Sequence, residues 1–461
     1  MKLCKTRKGV AIIISMIFVL IFSALAVSMF SMSGTNVQIA ENQRRANRAR
    51  SCAESGLEII RFWVNRSSVP GTTEPSLVFG QLADSLQADL ATNGISNITP
   101  YYDGSSMTIP SVTLDSADGR SFSAQITQID PETLQLEVTG TYASLMKTIR
   151  ANFVFGTKAH TVFDYGVATK GPLSLAGNIE LEGVNVSVES SVFIESENSN
   201  LALSIIGNSE IAGNVYIGNS FATVDLQGGQ ASIGGETGQD AIDNHVSFGV
   251  DSPGFPMPDP SYFEHYVNVG NIVDSSTDTS ADATFENIRI VAGTNPTFSG
   301  SVILKGIVFV ETPNVVTFTG NTTITGIIVG DGDLEDNSAT NQINLHGNVD
   351  SYSVSELPDE SQFAELKNET GTFLLAPGFH LSFGGNFNTL SGAIGGNGIE
   401  FFGNAGGTIN GSIINYSDEE MSLTGNSDLY FNRSGTVQVP AGFVPEIVLK
   451  YDPESYSENL I

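Results

Sequence analysis

The chain has 461 residues, with 20 Lys+Arg against 50 Asp+Glu and a formal net charge of −30. That acidity argues against a nucleic-acid partner, which needs clustered cations for its phosphates, and two cysteines cannot build a disulfide framework or a thiolate zinc site. Forty per cent hydrophobic residues argue against global disorder, and the length allows two or three domains.

Charge is unevenly placed. Residues 1–66 hold ten basic residues (Lys2, Lys5, Arg7, Lys8, Arg44, Arg45, Arg48, Arg50, Arg61, Arg66) and three acids (Glu41, Glu54, Glu58), which leaves 10 basic and 47 acidic residues for 67–461. Such asymmetry points to different surroundings for the two parts. A solvated acidic surface is the simpler account of the body, and a cation-binding surface is the sharper one.

The N-terminus reads as a membrane segment. Lys2, Lys5, Arg7 and Lys8 precede an apolar run from Val10 to Phe30, and no charge occurs from Gly9 to Ala40. As a helix this run covers about 30 Å, the thickness of the hydrocarbon layer. The basic flank belongs in the cytoplasm, which puts the C-terminal body in the periplasm or outside the cell. Ala24-Leu25-Ala26 also fits the cleavage site of an export signal. The helical pattern, however, continues beyond it. Ala46, Ala49, Ala53, Leu57, Ile60 and Val64 recur at steps of three and four as one apolar stripe, and Pro70-Gly71 ends it. A helix from Val10 to Asn65, about 80 Å long, would lie half in lipid and half against an external domain. Ser31, Ser33, Gly34, Thr35 and Asn36 interrupt it, and a bend or local melting is expected there.

The leader ending Lys8-Gly9, the run Val10-Ala11-Ile12-Ile13-Ile14 and the stretch Gln43 to Glu58, which closes on Ala-Glu-Ser-Gly-Leu-Glu, resemble type IV pilins and more closely the PilX-like minor pilins. The resemblance covers about the first 65 residues. It implies that a prepilin peptidase cuts after Gly9 and that Val10 becomes a methylated N-terminus. It also implies a single-pass inner-membrane anchor and other pilin or pseudopilin subunits as partners, with Val10–Phe30 and the stripe Ala46, Ala49, Ala53, Leu57, Ile60 and Val64 packing on partner helices. One position departs from the pattern. Ile14 stands where major pilins carry a glutamate that neutralises a neighbour's N-terminal ammonium, and in low dielectric an unpaired charge is costly. The departure implies a minor, priming or tip role rather than a repeated internal one.

Beyond the helix, Ser76–Leu90 reads as a short helix, and Ser121–Ile129, Leu134–Thr141 and Met146–Phe155 as strands with a turn at Asp130-Pro131. From Gly171 onward a Gly-Asn pair recurs, as at Gly177-Asn178, Gly207-Asn208, Gly320-Asn321, Gly385-Asn386, Gly403-Asn404 and Gly425-Asn426, with short β-branched segments between. Gly and Asn accept left-handed backbone at corners, while inward aliphatic residues stack between rungs and Asn can form ladders inside. A β-sandwich is the competing architecture. The fold class is therefore mainly β: a long N-terminal transmembrane and amphipathic helix, a small α+β segment, then a right-handed parallel β-helix-like solenoid. The expected organisation is a leader at 1–9, the helix at 10–66, a head segment at 67–160, solenoid at 161–235 and 287–450, an insertion or linker at 236–286 and a tail at 451–461, either a terminal strand or disordered. The Gly-Asn region followed by Ala376-Pro377-Gly378-Phe379 resembles an uncharacterised domain that accompanies PilX-like N-termini, and that resemblance implies no activity.

Little in the sequence carries chemistry. His160, His245, His265, His346 and His380 show no metal spacing, and neither a nucleophile elbow nor a P-loop occurs. Cys4 falls in the leader, and Cys52 lies beside the apolar stripe, where a buried small residue or an intermolecular bridge would suit it. Asp331, Asp333, Glu335 and Asp336 form the densest acidic loop, a solvated turn or a Ca²⁺ site; no other cofactor is expected. The reading that follows is a minor pilin or pseudopilin-like subunit of a type IV pilus or type II secretion-like assembly, not an enzyme. Its head would be displayed for adhesion, priming or tip function toward an unidentified surface ligand. The alternatives are an exported β-helix enzyme acting on polysaccharide and a scaffold that polymerises through its solenoid ends.

Overall fold

The computed structural model describes residues 8–458 except 68, 72, 96–97, 159, 268–270, 337–338 and 436–438. The chain divides into two compact units. One comprises 1–69, 73–156 and 447–461, and the other 70–72 and 157–446.

The first unit is built on helix α1, Lys8–Val64. The helix runs through Ser31–Asn36 without a break, contrary to the expected melting. The Thr35 hydroxyl donates to the Ser31 carbonyl at 3.0 Å, so the polar side chain bonds back onto the helix instead of competing with it. A second helix, α2, covers Val78–Thr92 and buries Val78, Phe79, Leu82, Ala83, Leu86 and Leu90, one face at helical spacing. The sheet beneath has antiparallel strands Ser106–Asp115, Arg120–Asp130, Thr133–Tyr142 and Leu145–Lys158 in sequence order. Thr133–Tyr142 alternates buried and half-exposed positions along its length, as a strand covered on one face should. The C-terminal strand Glu446–Glu458 is the neighbour of Leu145–Lys158 in this sheet. The second unit is thus inserted between two strands that are adjacent in the sheet of the first.

The second unit is a stack of parallel strands on three faces. A complete rung places one strand on each face, as in Val167–Thr169, Leu173–Gly177 and Glu180–Gly183. Successive rungs pair in register, for example Leu173 with Leu203 and Leu175 with Ile205. Inward positions hold Leu, Ile, Val and Phe, and these form one continuous core from Val167 to Phe431. Like stacks on like: Phe298 lies over Phe318 at 4.9 Å, and Phe383 over Phe401 at 4.6 Å.

The order of rungs in space differs from their order in sequence. The last rung pairs with the first, Ile413 with Val167, Leu423 with Leu175 and Leu429 with Leu181. The chain enters mid-stack at Val167 and winds out to Val246–Phe248, the terminal strand of its face. It crosses to Asn271–Val273 at the opposite end of that face and winds back to the middle. Residues 236–286, expected as an insertion or linker, therefore contain both terminal strands of that face. The Pro-rich part is the return crossing. Phe263 and Val267 cluster with the outward side chains Ile307, Phe309, Ile327 and Val329 of that sheet, and Phe255 packs on Phe193 and Tyr416. This second covering explains the continuous burial of Ile307–Val310 and Ile327–Gly330.

Candidate functional site

The N-terminal helix is the first candidate, and its two halves meet different surroundings. Ile12, Ile13, Phe18, Leu20, Phe22, Val27 and Phe30 are all exposed. The helix is long and apolar enough to cross a bilayer. Ile14 lies in this exposed part. Gly9 and Val10 belong to the helical backbone of α1, whereas leader residues 1–7, Cys4 included, lie outside the described residues.

The second half is buried on the chain's own sheet. Ala49, Ala53, Leu57, Ile60 and Val64 are at most 4 % exposed, and Ala46 is half-buried. The stripe assigned to partner helices therefore packs against Phe122, Leu136 and Val138 of the same unit, which corrects the sequence reading. Gly140 makes the approach possible: a Cβ there would overlap the Ala49 carbonyl oxygen and the Ala53 amide nitrogen. Cys52 is buried, and burial pushes its thiol up, away from the reactive thiolate. The arginines beside the stripe are paired. Arg44 and Arg45 both reach Glu41 at 2.9 Å, Arg50 bridges Glu54 at 2.9 Å and Glu458 at 2.6 Å, and Arg48 bonds the Tyr142 hydroxyl.

The acidic loop does not converge. The Asp331 carboxylate accepts from the Thr312 amide at 2.6 Å, Asp336 from the Asp333 amide at 2.8 Å, and Asp333 from the Glu335 amide at 3.2 Å. The last two bonds order the turn locally and the first ties it to the neighbouring rung, 19 positions away, and among the described residues no group of three or more His, Cys, Asp or Glu side chains is arranged to hold a metal.

One cluster escaped the sequence reading. On the face carrying Gln342–Leu345, His380–Phe383 and Ile399–Phe401, the Ser382 hydroxyl donates to Glu400 at 2.7 Å and lies 3.1 Å from His346 Nε2. His380 Nε2 sits 3.6 Å from the same carboxylate. The residues lie 18 and 36 positions apart, and only the rung register joins them. Serine, not histidine, occupies the central place. Its proton goes to the carboxylate, so the imidazole does not stand as a base between acid and nucleophile. The other histidines lie apart from this cluster: His160 Nε2 is against the Val444 carbonyl at 3.0 Å with Nδ1 3.5 Å from Glu446, His245 is against Asn214 at 2.9 Å with Nε2 3.8 Å from Glu236, and His265 lies against the Tyr266 and Tyr262 rings.

Residues 8–58 match the PilX N-terminal family. This part of the chain is therefore a type IV pilin-like N-terminus. No curated protein matches the chain. Among solved structures it is similar to the competence-associated pilin ComZ from Thermus thermophilus, at 12% identity over 90% of this chain and 98% of that one, with a TM-score of 0.23, too low to assign a shared fold.

Proposed function

We propose that the chain is a minor pilin or pseudopilin-like subunit of a type IV pilus or type II secretion-like assembly. The observation that carries this is the PilX-like segment 8–58, laid along one helix whose first half is exposed and apolar and whose second half is buried on a β-sheet. In this reading the apolar half sits in the inner membrane and later among partner subunits, and the solenoid is held in the periplasm or at a filament for adhesion, priming or tip function. Prepilin peptidase cuts after Gly9. Ile14 supplies no carboxylate for a neighbour's ammonium, which favours a terminal place over a repeated internal one. With the Ala46–Val64 stripe committed to the chain's own sheet, partner contacts fall to the exposed residues from Ala11 to Ile39. The role is structural rather than enzymatic.

The test is the mature N-terminus, read by mass spectrometry on protein from its native host. A chain starting at a methylated Val10 is expected. A chain starting near Val27 would remove the anchor and overturn the reading.

A further inference from the structure

A cleft of about 550 Å³ opens on the solenoid at the corner that follows strands Thr389–Leu390, Gly407–Ile409 and Leu429–Phe431. Ser391, Asn410 and Asn432 each come directly after paired strand residues, Leu390 with Ile409 and Ile409 with Phe431, so they occupy one corner position on three successive rungs. Ser351 extends the row, its hydroxyl 2.6 Å from that of Ser391. Asn432 donates to Asn410 at 3.1 Å, which fixes the orientation of both amides. Tyr352, 44 % exposed, and Phe163 add aromatic surface to the lining. Among the described lining residues Glu356 is the single carboxylate, and none is Lys, Arg or His.

This lining selects by chemistry. Neutral hydroxyls and amides recur at the rung spacing of about 4.8 Å, close to the advance of one pyranose unit along an extended glycan. An extended peptide advances about 3.3 Å per residue and is held through free backbone at a sheet edge, neither of which matches a row of side chains. Anionic ligands need cations in the lining, and the chain's net charge of −30 repels them at a distance. We propose that the cleft binds an uncharged oligosaccharide lying along the rungs, its hydroxyls on the Ser391, Asn410 and Asn432 row and an apolar sugar face on Tyr352. The ligand is bound without cleavage, because glycoside hydrolysis takes two carboxylates and the described lining offers one. The proposal deepens the adhesive reading and rests on it only for where the glycan is met.

The experiment is titration calorimetry on the full chain, held in a detergent that contains no sugar, with cellohexaose, xylohexaose, chitohexaose and hexagalacturonate. At least one neutral hexamer is expected to saturate, and hexagalacturonate is not. Tyr352→Ala changes an exposed side chain and should weaken binding several-fold with an unchanged melting temperature. Asn410→Leu should weaken it tenfold or more. Failure of all three neutral hexamers at millimolar concentration, binding of hexagalacturonate as tight as theirs, or wild-type affinity in both variants would each overturn the proposal. None of these outcomes bears on the mature N-terminus, so the pilin reading stands or falls separately.

Discussion

The head sheet and the solenoid are both β-structures, yet they bury apolar surface in different ways. In the head, strands follow one another as hairpins, alternate their side chains, and hide one face beneath α1 and α2. In the solenoid, strands pair in parallel with residues one rung away, and inward apolar side chains stack in columns, Leu175 on Ile205 and Phe383 on Phe401. The junction between first and last rungs is the extreme case, since Asn415 donates to Thr169 across 246 positions. Local alternation sustains the first architecture; columns of matched residues sustain the second. Stability should therefore respond to mutation by different rules in the two units. The single tryptophan, Trp63, packs in the head core and reports on that unit, while hydrogen exchange of solenoid peptides reports on the other.

The largest effect is expected within a solenoid column. Phe383 is 1 % exposed and stacks on Phe401. Phe383→Ala should cost about 3–5 kcal/mol through the cavity it leaves. Exchange should accelerate in peptides from 372 to 425, while the Trp63 transition stays in place. Equal losses in both signals would mean that the two units unfold together. The converse experiment is Gly140→Val, which drives a side chain into the backbone of α1. A loss of about 3 kcal/mol is expected, now in the Trp63 transition and not in exchange of the solenoid.

The junction between last and first rungs supplies a third test. Glu189 is 5 % exposed and accepts from the Asn185 amide at 2.8 Å, the Asn185 side chain at 3.1 Å and the Arg433 amide at 3.2 Å. Burial alone would raise its pKa, but these hydrogen bonds hold it below the usual carboxylate value. Glu189→Ala should cost about 2 kcal/mol by removing the buried acceptor that the Asn185 and Arg433 amides share. Because the folded pKa is depressed, the contribution is fully present above the unfolded carboxylate value and is lost as pH falls through the folded one. The wild type should therefore lose more solenoid stability than Glu189→Gln on moving from pH 6 to pH 3. Parallel pH profiles for the two proteins would contradict this account of the junction.

The contrast also shows where sequence reasoning reaches. The helix expected from Val10 to Asn65 is found at Lys8–Val64, and the strand expected at Leu134–Thr141 is found at Thr133–Tyr142, because helical stripes and hairpin alternation are local signals. The Gly-Asn pairs identified rungs for a related reason, since each corner needs its own permissive backbone. The order of the rungs was not legible. Nothing within residues 413–415 specifies 167–169 as a partner, and the choice depends on the whole chain path. A terminal strand was one of the two readings of the tail, and it is found at Glu446–Glu458, but its neighbour in the head sheet was not legible, since Asn152 and Ser455 bond across 303 positions. The Ala46–Val64 stripe was legible as a buried face, but its partner was not: a stripe records that something apolar covers it, not which chain provides the cover.

The smallest effect concerns the asparagine ladder. Asparagines were expected inside the solenoid, and Asn314 and Asn341 are buried and bonded there, but Asn208, Asn178, Asn426 and Asn404 of the Gly-Asn pairs form a ladder on its exposed corner, with Nδ2 to Oδ1 distances of 3.0, 3.0 and 3.3 Å. Beside them the glycines form the tight column. Gly207, Gly177, Gly403 and Gly425 all have positive φ, and a Cβ on Gly177 would overlap the Gly425 carbonyl oxygen. The corner is therefore set by glycine, and the amides bridge rungs in water, where a hydrogen bond contributes about 1 kcal/mol or less. Asn178→Ala should lower solenoid stability by no more than this. Asn178→Asp keeps the acceptor for Asn208 but loses the donor to Asn426 and sets a carboxylate against its Oδ1, so it should cost more than alanine and the excess should shrink in high salt. If alanine instead cost as much as Phe383→Ala, the ladder would be a determinant of the stack on a par with its core, and the division of roles between glycine column and amide ladder would fail.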